Sequence, residues 1–92
     1  PDMLEIMVDW SYNENLGQIN LVLRQKASTE VLFDVPVEFE LHFSNGMDPV
    51  VFETEISTHE INYTIPAVIK PQLILADPRT VLLADIRVIE QK

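Results

Sequence analysis

Val35-Pro36-Val37-Glu38-Phe39-Glu40-Leu41-His42-Phe43, followed by Ser44-Asn45-Gly46-Met47, is the stretch that decides the fold. Val35, Val37, Phe39, Leu41 and Phe43 alternate with Pro36, Glu38, Glu40 and His42. A period of two places the apolar set on one face of an extended strand and the polar set on the other. The Ser44 to Met47 cluster turns the chain, and Val50, Phe52, Thr54 and Ile56 resume the alternation against Glu53, Glu55 and Ser57. A two-residue type I′ turn at Asn45-Gly46 sets Leu41 opposite Val50, Phe39 opposite Phe52 and Val35 opposite Ile56. Every inward residue then meets an inward residue, and Glu38 falls opposite Glu53 on the outer face. Pro49 permits a longer loop, and the same faces pair after a two-residue slip.

The same period runs outward from this hairpin. Leu4, Ile6, Val8 and Trp10 alternate with Glu5, Met7 and Asp9, while Ile19, Leu21 and Leu23 alternate with Gln18, Asn20 and Arg24. Ile61, Tyr63 and Ile65 follow, then Leu73 to Ala76 and Val81 to Ile89. Asn13 to Gly17 is a turn cluster, and Pro66, Pro71 and Pro78 punctuate the later segments. No helical period is sustained. About seven short strands separated by such turns predict an all-β, immunoglobulin-like antiparallel β-sandwich.

The chain has 92 residues, 47% of them hydrophobic and only two glycines, which suits one globular domain over 1–92 with a single core. Fifteen acidic against six basic side chains give a net charge of −9, which repels phosphate backbones and anionic headgroups, so neither nucleic acid nor a membrane surface is expected as a partner. There is no cysteine, hence no disulfide, thiolate metal site or catalytic thiol. No apolar run reaches the ~18 residues of a membrane span, no signal pattern occurs within these residues, and the compartment is left open.

Candidate chemistry is sparse. His59-Glu60 begins like a His-Glu-x-x-His zinc motif, but Tyr63 stands where the second histidine belongs and the segment has strand periodicity. It reads as loop leading into strand. His42, on a polar strand face, reads as a solvated surface residue. Glu38, Glu40, Glu53 and Glu55 offer a weak cation site or a docking face for a basic surface, and read more simply as a solubilising face. Ser11, Ser28, Ser44 and Ser57 sit in turns or strand ends without a nucleophile context, and Gly17 and Gly46 cannot build a phosphate loop. Trp10 and Tyr12 suggest an aromatic platform, yet Trp10 shares the apolar face of Ile6 and Val8 and reads as core. Met7 and Val22 are the apolar residues on otherwise wet faces, and are the candidates for docking a partner.

Pro1-Asp2-Met3-Leu4-Glu5-Ile6, Trp10-Ser11-Tyr12, Leu21-Val22-Leu23-Arg24-Gln25, Phe33-Asp34-Val35-Pro36-Val37-Glu38 and Asp77-Pro78 with Leu82-Leu83 together resemble the β-sandwich that follows the catalytic domain in zinc aminopeptidases of the aminopeptidase N family. Gln25 ahead of the Phe33 to Val37 stretch, and Asp77-Pro78, are the most specific features of the match. The resemblance implies a non-catalytic accessory domain, excised from a larger aminopeptidase-like protein, that docks on other domains of the same polypeptide. Zinc would belong to the parent catalytic domain, with no cofactor, metal ligand or catalytic residue in this chain. Neither His-Glu-x-x-His nor the family's Gly-x-Met-Glu-Asn motif occurs here. The rival expectation is an independent binding module, an adhesin or a carbohydrate- or peptide-binding sandwich, for which the turns offer only Tyr12 as an aromatic. A small enzyme working from the acidic face would need a cleft and a metal that a flat strand face does not supply.

Overall fold

The alternation that begins at Val35 becomes a buried row: Val35, Val37, Phe39 and Leu41 all lie in the core, and the Phe39 ring stacks on Phe52 of the next strand at 5.1 Å between centroids. The structure, a computed structural model, describes residues 4–27 and 32–92. Pro1-Asp2-Met3 of the first motif, and Ser28, lie outside the described residues.

Among the described residues seven strands form, β1 (Leu4–Asn13), β2 (Gln18–Ala27), β3 (Val35–His42), β4 (Val50–Ile56), β5 (Glu60–Pro66), β6 (Leu73–Ala76) and β7 (Ala84–Glu90). They make two packed sheets in a sandwich-like arrangement, one of order β5-β2-β1-β7 and one of order β4-β3-β6. The core lies between them: Ile6, Val8 and Trp10 of β1 and Ile19, Leu21 and Leu23 of β2 meet the β3 row, with Ile56 and Ile74 filling its flanks. Each such side chain removed from water contributes about 1.5–3 kcal/mol, which is why register follows apolar parity so closely.

The β3–β4 register is the expected one, with Leu41 opposite Val50, Phe39 opposite Phe52, Val35 opposite Ile56 and Glu38 opposite Glu53. The turn differs. Gly46 takes a positive φ of 79° but Asn45 does not, whereas a type I′ turn needs both. Asn45 instead accepts the Met47 N–H on its side-chain oxygen at 3.1 Å, and a loop over 43–49 joins the strands. The ladder stops at the Leu41–Val50 pair.

Two further expectations are corrected. The sheets are not wholly antiparallel, because β7 pairs with β1 in parallel, Leu4 beside Ala84 and Trp10 beside Glu90. The chain leaves β6 in the three-stranded sheet and crosses to the edge of the other, arriving in the same direction as β1. The last strand also starts at Ala84, not Val81. The Asp77 carboxylate takes the Val81 and Leu82 N–H groups, each at 3.0 Å, and holds that segment in a loop.

Candidate functional site

Met7 and Val22 point outward from the four-stranded sheet, as parity requires, and both are half-buried. Register places them in adjacent cross-strand rows. Met7 stands between Arg24 of β2 and Arg87 of β7, and Val22 between Asp9 of β1 and Asn62 of β5. Two arginines therefore flank Met7, and a carboxylate and an amide flank Val22. Arg24 bridges Asp9 at 2.6 Å and Glu60 at 2.8 Å, and those bonds, Glu60 first, push its guanidinium pKa up, so it stays charged. Gln91 donates to the other Asp9 oxygen at 3.0 Å. Beside Met7, a hollow of about 270 Å³ is lined by Glu5, Asp85 and Arg87. This face is a mixed-charge lattice with three apolar side chains, Met7, Val22 and the exposed Ile89, set into it.

A larger apolar surface lies at the end of the sandwich that carries the β1–β2 turn. Leu41, Phe43, Met47, Val50, Ile65 and Ile69 line a groove of about 200 Å³ there. Val68 projects beside it with 96% of its surface exposed, and Leu16 and Met47 are also exposed. The sequence did carry a signal for this patch. Leu16 interrupts the polar cluster Asn13 to Gly17, Met47 follows Asn45-Gly46, and Val68-Ile69 fall between Pro66 and Pro71. Turn segments are ordinarily polar, so apolar residues within them mark a surface.

The acidic face is less open than its sequence implies. Arg79, from the loop between β6 and β7, reaches Glu38 with a two-bonded fork, Nε and a terminal nitrogen each donating at 3.0 Å. It offsets the charge that Glu38 and Glu53 bring opposite each other. His42, read as a solvated surface residue, is half-buried and lies 2.5 Å from Glu40, because residues two apart on a strand share a face. His59 sits in the loop before β5 and Tyr63 on the strand, as the loop-to-strand reading expects. Among the described residues, no group of three or more His, Asp or Glu side chains is placed to hold a metal ion.

Trp10 is buried in the core, and Tyr12 is half-buried with its hydroxyl donating to the Ala67 carbonyl at 2.9 Å. The two most specific features of the resemblance each tie separate segments of the chain together. Gln25 is buried at the close of β2, and its side-chain amide bonds backbone groups of Phe33 and Thr58. Asp77, with φ 49°, donates its own N–H to the Glu38 carbonyl at 2.7 Å while its carboxylate receives Val81 and Leu82. No protein-family model matches this sequence, and no curated protein matches it.

Proposed function

We propose that the chain is a non-catalytic accessory domain of an aminopeptidase N-like zinc metallopeptidase, docking on the catalytic domain of the same polypeptide. The observation that carries this reading is the apolar end around Val68, where Leu16, Met47 and Ile69 are exposed beside an apolar groove. Exposed apolar groups gathered in one patch serve contact with another protein surface, whereas small-molecule sites need a few convergent polar groups. Met7 and Val22 would add a second, smaller contact on the outer face of the four-stranded sheet. The binding-module alternative needs a free aromatic at the loop tips, and Tyr12 is half-buried with its hydroxyl engaged.

The zinc and the general base of such an enzyme would lie in the neighbouring domain. The chain alone is therefore expected to bind no stoichiometric zinc and to hydrolyse no aminoacyl substrate; one equivalent of zinc accompanied by turnover overturns the reading. Val68→Asp placed in the parent protein is expected to lower its melting temperature and solubility while leaving zinc content unchanged. A parent gene without a zinc-peptidase motif upstream of Pro1 also overturns it.

A further inference from the structure

We propose that β7 is a self-association edge: two copies of the chain join β7 to β7, antiparallel, in the register that sets Ile86 opposite Ile86 across a two-fold axis. The two four-stranded sheets then become one continuous sheet. This goes beyond the accessory-domain reading and stands on different residues.

The four sheet edges are not equally open. On β4, Pro36 has no N–H, so the Pro36–Glu55 pair is a non-hydrogen-bonded one and the Glu55 backbone points off the sheet. Tyr63 occupies that slot, its hydroxyl donating to the Glu55 carbonyl at 2.7 Å and receiving the Glu55 N–H at 3.3 Å. β5 ends in Pro66, and β6 has only four residues. β7 has none of these guards. Gln91 N–H reaches the Trp10 carbonyl at 2.7 Å, so by alternation Asp85, Arg87 and Ile89 aim their backbone groups at β1. Ile86, Val88 and Glu90 aim theirs at the open edge. Among the described residues, β7 pairs with β1 alone. An unguarded edge of this length is a template for another strand.

Its sequence selects the partner. With Ile86 on the axis, Asp85 of each copy faces Arg87 of the other, twice by symmetry, in the closer, non-hydrogen-bonded type of pair. The same register brings Leu83 opposite Ile89. Leu83 is 98% exposed and Ile89 43%, and nothing among the described residues otherwise accounts for so exposed a leucine. On the inner side, Ala84 meets Val88. Moving the axis to Arg87 sets arginine against arginine, and moving it to Val88 sets Arg87 against Ile89, so one register alone matches both charge and apolarity. The contact is isologous and closes at two copies. Long-range repulsion between two chains of net charge −9 opposes it and is screened beyond about 10 Å at 0.1 M salt.

Sedimentation velocity over a concentration series in moderate salt tests this on the whole chain. A concentration-dependent dimer is expected, with slowed amide exchange at Ile86 and Val88 in the dimer. Asp85→Lys places lysine against arginine at both pairs and is expected to weaken association about tenfold or more. At concentrations where both are monomeric its melting temperature should stay near that of the unaltered chain, because Asp85 and Arg87 are exposed and 3.9 Å apart within one copy. Exchanging the pair, Asp85→Arg with Arg87→Asp, should restore the dimer. A chain that stays monomeric throughout, an Asp85→Lys variant that dimerises undiminished, or a folded exchange variant that fails to recover each overturns the proposal.

Discussion

Gln25 and Phe33 are joined reciprocally: the Gln25 Oε1 accepts the Phe33 N–H at 3.1 Å, and its Nε2 donates to the Phe33 carbonyl at 2.9 Å. A side-chain amide thereby copies the double bond of an antiparallel strand pair where no strand stands. Its second amide hydrogen goes to the Thr58 carbonyl at 2.9 Å, and the Gln25 backbone N–H goes to His59. The end of β2, the lead into β3 and the loop between β4 and β5 are pinned by one buried residue.

Gln25→Leu is therefore expected to destabilise the chain by about 2 kcal/mol, because it takes the partner from the Phe33 N–H and from two carbonyls at a part-buried site. Gln25→Glu tests the polarity. A carboxylate facing two carbonyls is disfavoured in the fold, so its folded pKa rises above the ordinary carboxyl value. A raised folded pKa means that stability relative to the unaltered chain is lost as pH rises through that value and is regained below the unfolded one. Urea unfolding at acid and neutral pH should show a deficit that shrinks on acidification; a deficit independent of pH would place the amide elsewhere.

Glu38 faces Glu53 across β3 and β4 and is held by Arg79. Arg79 is largely exposed, so its fork is worth no more than about 1 kcal/mol. Arg79→Ala should cost about 0.5–1 kcal/mol, more at low salt than at high, and Glu53→Gln should return part of that loss only when Arg79 is absent. A double-mutant cycle with no coupling between positions 53 and 79 would show that the facing charges are already screened.

Parity in the sequence located the strands, both sheet faces and the hairpin register, since one residue of slip at Phe39 would carry a phenyl ring into water. Gln25 was also legible, as it continues the inward parity of Ile19, Leu21 and Leu23. Arg79 was not, because its partner lies far along the chain and on another element. The parallel run of β7 beside β1 was equally hidden, since alternation gives no strand direction. Asp77 and Thr80, both at positive φ, lock the loop that shortens β7, and neither is the glycine that advertises such a conformation. The apolar end escaped because Leu16, Met47 and Val68 lie in turns, where periodicity has no meaning.

Phe39→Ala should cost about 3–5 kcal/mol, because it empties the middle of the sandwich and removes the stacked contact with Phe52. Glu40→Ala, one residue along on the outer face, should change stability by about 0.5 kcal/mol or less. Its nearest partner is the half-buried His42, and the pair is partly exposed. Similar losses for both variants under urea would contradict the assignment of faces.

Tyr63→Phe separates the strength of the edge guard from its purpose. The ring stays half-buried among core neighbours, so apolar packing is kept, and the Glu55 N–H and carbonyl lose a partner but regain water. The expected cost is about 1 kcal/mol. The larger effect should be kinetic, because Val51, Glu53 and Glu55 then present an uninterrupted row of free backbone groups on β4. Repulsion from Glu53 and Glu55 should keep that edge from pairing at neutral pH and low salt, and high salt should weaken the restraint. Light scattering on warming is the measurement, with faster growth expected for Tyr63→Phe than for the unaltered chain in high salt and little difference in low salt. Equal aggregation in both salts, at the same loss of stability, would reduce Tyr63 to an ordinary hydrogen bond between the two sheets.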